Sequence, residues 1–184
     1  MSEDKAELAR WVDESVAAAR NRAPPPGLEM AIGPLNVTRF ADAFWYMSGP
    51  ITWRPDDPGQ GLPSVSVPIG FVTDFASIPR ALWTTLPRDG DYVWAAVVHD
   101  YLYWYQTTTK AVADNVLNAA MVNLNIPVLT RTAIYQGVNL GGASSWANNA
   151  QLRQNGEKRT LKKFPDSPTI TWEQWKTKPD VFVA

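Results

Sequence analysis

The chain contains no cysteine and a single histidine, His99. The first absence excludes a disulfide framework, a cysteine-based zinc site and a thiol nucleophile. The second excludes zinc sites built on two or three histidines, the two-histidine HExxH proteases and the metal-bound HD phosphohydrolases, all of which need several imidazoles. An excess of charge of one sign is missing too. Seventeen Lys and Arg face 18 Asp and Glu, for a formal net charge of -1. That balance argues against nucleic-acid binding, which usually rests on a basic field. No apolar run approaches the ~20 residues of a membrane span. The acidic opening Met1-Ser2-Glu3-Asp4-Lys5 lacks the basic start and apolar core of a secretory signal.

Tryptophan and proline are plentiful instead, nine of one and 15 of the other in 184 residues. Large amphipathic rings are spent on cores, interfaces or sugar contacts. Many prolines fix many turns and leave little long regular structure outside a few helices. At ~150 residues per domain the length suits one domain with some chain to spare.

Residues 2–22 read as an amphipathic helix capped by Ser2, with Leu8, Trp11, Val12, Val16 and Ala19 at helical spacing. Pro24-Pro25-Pro26 follows as a stiff spacer, so residues 1–27 are expected to form an arm. Its apolar stripe packs either on its own domain or on a partner. Residues 28–150 are expected to form a single α+β domain, a small antiparallel sheet packed on a three-helix unit. Leu35–Thr38, Phe44–Met47, Ile51–Trp53 and Val65–Val67 are β-branched or aromatic runs separated by Pro/Gly turns. Three helices follow: one from an Asp91 cap to about Tyr105, one capped at Thr107–Thr109 and running to about Leu124, and one from about Thr130 to Trp146. Residues 151–184 read as a basic tail with a late strand at Thr169–Trp172. The first hundred residues are net acidic and the remainder net basic, which suits either a partner surface or a solvated tail.

Three segments place polar residues where apolar ones are expected. Asp74 lies among Val72, Phe75 and Ile78, and a carboxylate there needs Arg80, backbone amides, a histidine or a metal. Ser77 and Pro79 read more simply as a helix start. His99 and Asp100 follow an apolar run on the first helix and point ~100° apart. Asp114 borders the apolar stripe of the second helix. His99 lies eight residues before the turn at Thr107 and Asp114 seven after it. In an antiparallel hairpin both stand ~10 Å from the turn, so a contact of Asp114 with His99 or Asp100 is geometrically natural.

These segments, Val67–Arg80, Ala95–Tyr103 and Ala113–Asp114, resemble the domain-of-unknown-function family numbered 1353 over about residues 35–147. The resemblance implies a bacteriophage or prophage context and puts Asp74, Ser77, Arg80, His99, Asp100 and Asp114 in signature positions. It implies no established activity.

Two main readings follow. In one, the protein is virion-associated (a tail, neck or capsid-associated component), located in the virion or host cytoplasm and contacting other phage particle proteins. Its Asp/His/Arg cluster is then a structural network. In the other it is a hydrolase of a cell-envelope polymer with an Asp74/His99/Asp100/Asp114 site. His99 then acts as general base, or Asp74, His99 and Asp114 hold a divalent metal. Ser77 is a weaker nucleophile candidate because the Gly-x-Ser-x-Gly elbow is absent. A third reading is an accessory protein that binds a host factor.

Overall fold

A computed structural model of the chain describes residues 34–75 and 90–183. The expected arm helix, the proline spacer, Ser77 and Arg80 lie outside the described residues. The fold is α+β. Five short strands, β1 (Val37–Arg39), β2 (Trp45–Met47), β3 (Ile51–Trp53), β4 (Val65–Val67) and β5 (Val72–Thr73), precede helices α1 (Tyr92–Tyr105), α2 (Lys110–Asn123), α3 (Val128–Gln154) and the short α4 (Trp172–Trp175). The strands form two antiparallel sheets, ordered β1-β2-β5 and β3-β4.

In β3 and β4 the alternation of side chains across a strand is plain. Ile51, Trp53, Val65 and Val67 are buried, while Thr52 and Ser66 face each other outward and share a 3.1 Å hydrogen bond. The three-stranded sheet is covered on both faces. Met47 and Phe71 join the main core with the helices. Their chain neighbours Tyr46 and Val72 join a second core with Phe40, Leu161, Trp172, Trp175 and Val181. Adjacent strand residues point to opposite faces, so each of these pairs serves both cores.

The second core changes the reading of the tail. Residues expected to trail as a basic extension are folded onto the sheet. Phe71 bridges Thr160, and Leu161 bridges Phe182. The expected strand at Thr169–Trp172 does not form. Thr171 instead caps α4 through a reciprocal capping box with Gln174, which turns Trp172 and Trp175 inward. Gly70 makes the tail contact close. Its φ is +86°, and a Cβ there would lie 2.3 Å from the Leu161 carbonyl oxygen.

Helix α1 is buried nearly all round, from Tyr92 to His99 and again from Leu102 to Trp104. A helix with apolar residues on every face is a central one. Asp91 precedes it without a side-chain cap bond, whereas Thr109 caps α2 by accepting from the Val112 amide at 3.3 Å. Helix α3 runs eight residues past the expected end, and the extension has a use. Arg153 donates to the Tyr105 carbonyl at 3.1 Å and to Gln106 Oε1 at 2.6 Å, and Asn149 donates to the Tyr103 carbonyl at 3.3 Å. Carbonyls at the end of α1 that lack helical partners are satisfied from α3. Among the described residues no helix is long and apolar enough to cross a membrane.

The neighbouring glycines of α3 differ in kind. A Cβ on Gly142 would lie 2.4 Å from the Tyr103 hydroxyl and 3.0 Å from Lys110 Cε, while one on Gly141 meets nothing within 4 Å. Gly141→Ala should therefore stabilise the protein by about 0.5–1 kcal/mol through helix propensity. Gly142→Ala should destabilise it by about 1–3 kcal/mol through overpacking. Urea denaturation of the two variants checks the opposite signs.

Candidate functional site

The hairpin of α1 and α2 turns tightly because Gln106 adopts a left-handed conformation (φ +52°) at the end of α1 and Thr109 caps α2. His99 and Asp114 meet across it, as their equal distance from the turn requires. His99 Nε2 lies 2.9 Å from Asp114 Oδ1. Two further donors complete the carboxylate. The Tyr103 hydroxyl donates to Oδ1 at 2.7 Å and Lys110 Nζ to Oδ2 at 2.7 Å. Lys110 also reaches the Val138 carbonyl of α3 at 3.4 Å, so the cluster sits where three helices meet. His99 is 0% and Asp114 2% exposed.

Burial sets the charges. It pushes the His99 pKa down, more strongly than the Asp114 hydrogen bond pushes it up. Burial would raise the Asp114 pKa, but hydrogen bonds from His99, Lys110 and Tyr103 together hold it below the usual carboxylate value. The Tyr103 phenol is raised by burial first and by its bond to Asp114 second. The ground state is therefore a neutral imidazole and phenol around an ionised carboxylate paired with Lys110.

Asp100 takes a different partner, as its rotation around the helix requires. It accepts a hydrogen bond from the Thr73 hydroxyl, which in turn accepts from the Phe75 amide at 3.2 Å. This links the end of β5 to α1. Phe75 has φ +54°, an uncommon conformation for an aromatic residue that costs about 1–3 kcal/mol. The strained residue directly follows Asp74. A cavity of about 300 Å³ opens beside this turn, lined by Asp74, His99, Asp100, Tyr103 and Arg159, with Gly141 of α3 on its wall. Arg159 is positioned by its aromatic neighbours. Its guanidinium lies 4.6 Å from the Trp104 ring centroid, and Nε donates to Glu157 at 3.2 Å.

The structure thus brings Asp74, His99 and Asp100 to one cavity and sets Asp114 behind His99. The expected metal trio of Asp74, His99 and Asp114 is not assembled. Among the described residues no three His, Asp or Glu side chains are grouped to hold a metal ion. The Asp114 oxygens are instead occupied by three donors, one of them cationic. Tyr103 and Trp104 line the cavity, as aromatics suited to a substrate groove, while the bond of Tyr103 to Asp114 and the parts of Lys110 and Arg159 are not expected from the sequence reading. Tyr103 follows His99 by four residues, and Lys110 precedes Asp114 by four, so their sharing of a helix face was legible. Arg159 comes from the tail, and no local pattern points to it.

Acid should weaken the fold in two separate windows. Below the unfolded histidine pKa of about 6.5, the unfolded chain binds a proton that buried His99 resists, so stability falls as pH drops. The contribution of Asp114 is present above about pH 3.9 and is lost as pH falls through its lower folded value. Since His99 is the single histidine, His99→Gln should flatten the dependence between about pH 5 and 7 and leave the lower window in place. Urea midpoints measured across the range check this, and an unchanged slope in the variant would contradict it.

No curated protein and no solved structure matches the chain. Residues 56–138, a span that takes in α1, α2 and the start of α3 with Asp74, His99, Asp100 and Asp114, match the model of the family described as Protein of unknown function (DUF1353).

Proposed function

We propose that the protein is a hydrolase acting on a cell-envelope polymer, with the His99 cavity as its active site. One observation carries the reading. The single histidine lines the same cavity as two carboxylates, Asp74 and Asp100, while a third carboxylate, Asp114, holds its ring from behind. Ionisable groups in an apolar interior cost stability unless paired. A network retained for packing alone has no use for a cavity in front of it, because interiors pack to crystal-like density. A space of about 300 Å³ falls in the size range of small-ligand pockets.

In this reading His99 is neutral near pH 7 and takes a proton from an attacking water. Asp114 sets its tautomer and tilt. The imidazolium so formed returns that proton to the leaving group, and the Asp74 and Asp100 carboxylates line the cavity where its charge develops. Arg159 faces the same space and can hold an acidic or carbonyl group of the substrate. The choice of an envelope polymer rests on the phage context that the family resemblance implies.

A second reading, a virion component of the tail, neck or capsid that contacts other particle proteins, is favoured by α3. From Thr132 to Leu152 the helix carries no charged side chain. Its outer face is nevertheless exposed, with Leu140 81% accessible. Depletion of charge on an exposed helix is a property of interface cores.

The two readings separate in parallel assays. Release of soluble fragments from purified peptidoglycan and envelope polysaccharide should fall by about 100-fold or more in His99→Gln and Asp100→Asn, with near-ultraviolet circular dichroism retained. If the wild type releases no fragments at any pH, with or without Mg²⁺, Mn²⁺, Zn²⁺ or Ca²⁺, the hydrolase reading is lost. Co-purification of the wild type with phage particles would then support the second reading.

A further inference from the structure

Away from the His99 cavity, and sharing no lining residue with it, a groove of about 380 Å³ runs between α2 and the turn after β3. Asp57 builds that turn by accepting the Gly59 amide at 2.8 Å, which presents Asp56 and Gln60 to the helix. The facing side of α2 carries Asn115, Asn118 and Asn123. Three asparagines on one exposed helix face are a poor choice for helix stability, where Ala, Glu or Lys serve better.

Their amides are oriented. The buried Trp53 indole donates to Asn123 Oδ1 at 2.9 Å, and Asn123 Nδ2 donates to Asp56. The Tyr135 hydroxyl donates to Asn115 Oδ1 at 3.0 Å, so the Asn115 NH₂ group is the end left to the groove. Asn118 is half-buried between them. Leu62, Ala119 and Val122 supply an apolar floor. Among the described residues no lysine or arginine lines the groove, and the one charge is the Asp56 carboxylate. Fixed amide donors and a carboxylate acceptor over an apolar floor match a ligand with alternating hydroxyl or amide groups and a C–H face. The missing cations and the acidic Asp56 disfavour phosphates and acidic sugars.

We propose that this groove is a binding subsite for a neutral, N-acetylated saccharide. Amides and Asp56 hydrogen-bond its hydroxyl and acetamido groups, and Val122 and Leu62 contact the acetyl methyl and the ring. The site stands independently of the hydrolase reading and would deliver a glycan polymer to the protein whatever the His99 cavity does.

The test is a titration of the full chain, ¹⁵N-labelled, with chitotetraose and with cellotetraose as the comparator without acetamido groups. Chitotetraose should shift the Trp53 indole N–H and the side-chain amides of Asn115, Asn118 and Asn123. Loss of a paired side chain in Asn118→Ala should weaken binding about tenfold. His99→Gln should bind normally. Val122→Glu, which fills the groove from an exposed position, should abolish the shifts without unfolding the protein. Shifts centred on the His99 cavity, no shifts at all, or unchanged affinity in both groove variants would overturn the subsite. Equal binding of cellotetraose would overturn the acetamido assignment.

Discussion

The carboxylate of Asp114 is the point on which the helical half of the protein depends. It lies almost wholly out of water at the junction of α1, α2 and α3 and takes hydrogen bonds from His99, Tyr103 and Lys110. An ion in that place is tolerable only when its oxygens are hydrogen-bonded and a counter-charge is near. The geometry of the three helices follows from this need. The hairpin turn levels His99 with Asp114, the i,i+4 spacings bring Tyr103 and Lys110 to the same height, and Gly142 on α3 lets the third helix close over the Tyr103 hydroxyl. Burial holds the histidine neutral against the opposing pull of this carboxylate, which fixes the ring through Nε2.

A second constraint ties the site to the rest of the chain. The sheet is thin, and both of its faces need cover. The helices shield one face and the C-terminal segment the other. The Val72 amide donates to the Arg159 carbonyl at 2.7 Å, so the strand that leads to Asp74 and the residue that contributes the guanidinium are held together by backbone. Two polar features therefore flank α2 differently. At its N-terminal end lies a sealed ionic cluster backing a cavity. Along its outer face lies an open groove of neutral amides.

Much of this was legible from residue patterns. Strand positions, the three helices and the meeting of His99 with Asp114 all follow from periodicity and turn chemistry, which act over a few residues. The divergence of Asp100 from His99 follows from helical rotation alone. Proximity in a hairpin does not reveal which other groups take an oxygen, and Tyr103 and Lys110 donate to those of Asp114. The tail reads as a solvated extension from its basic composition, yet it folds onto the sheet. Its two tryptophans are buried only by virtue of a capping box and a sheet face more than a hundred residues earlier in the chain.

By itself the sequence determined what chemistry is available. With no cysteine and one histidine, proton transfer near neutral pH rests on His99 or on a carboxylate moved from its usual range. It also determined the α+β order of elements and the hairpin that makes the dyad, since local spacing suffices for both. Only the tertiary structure decided that both oxygens of Asp114 are taken by donors, that Asp74 and Asp100 share the cavity of His99, and that Arg159 and Trp53 belong to sites built by other segments. Burial and hydrogen-bond competition are properties of the packed chain. They depend on which distant groups arrive at the same place, and a linear pattern holds no measure of that distance.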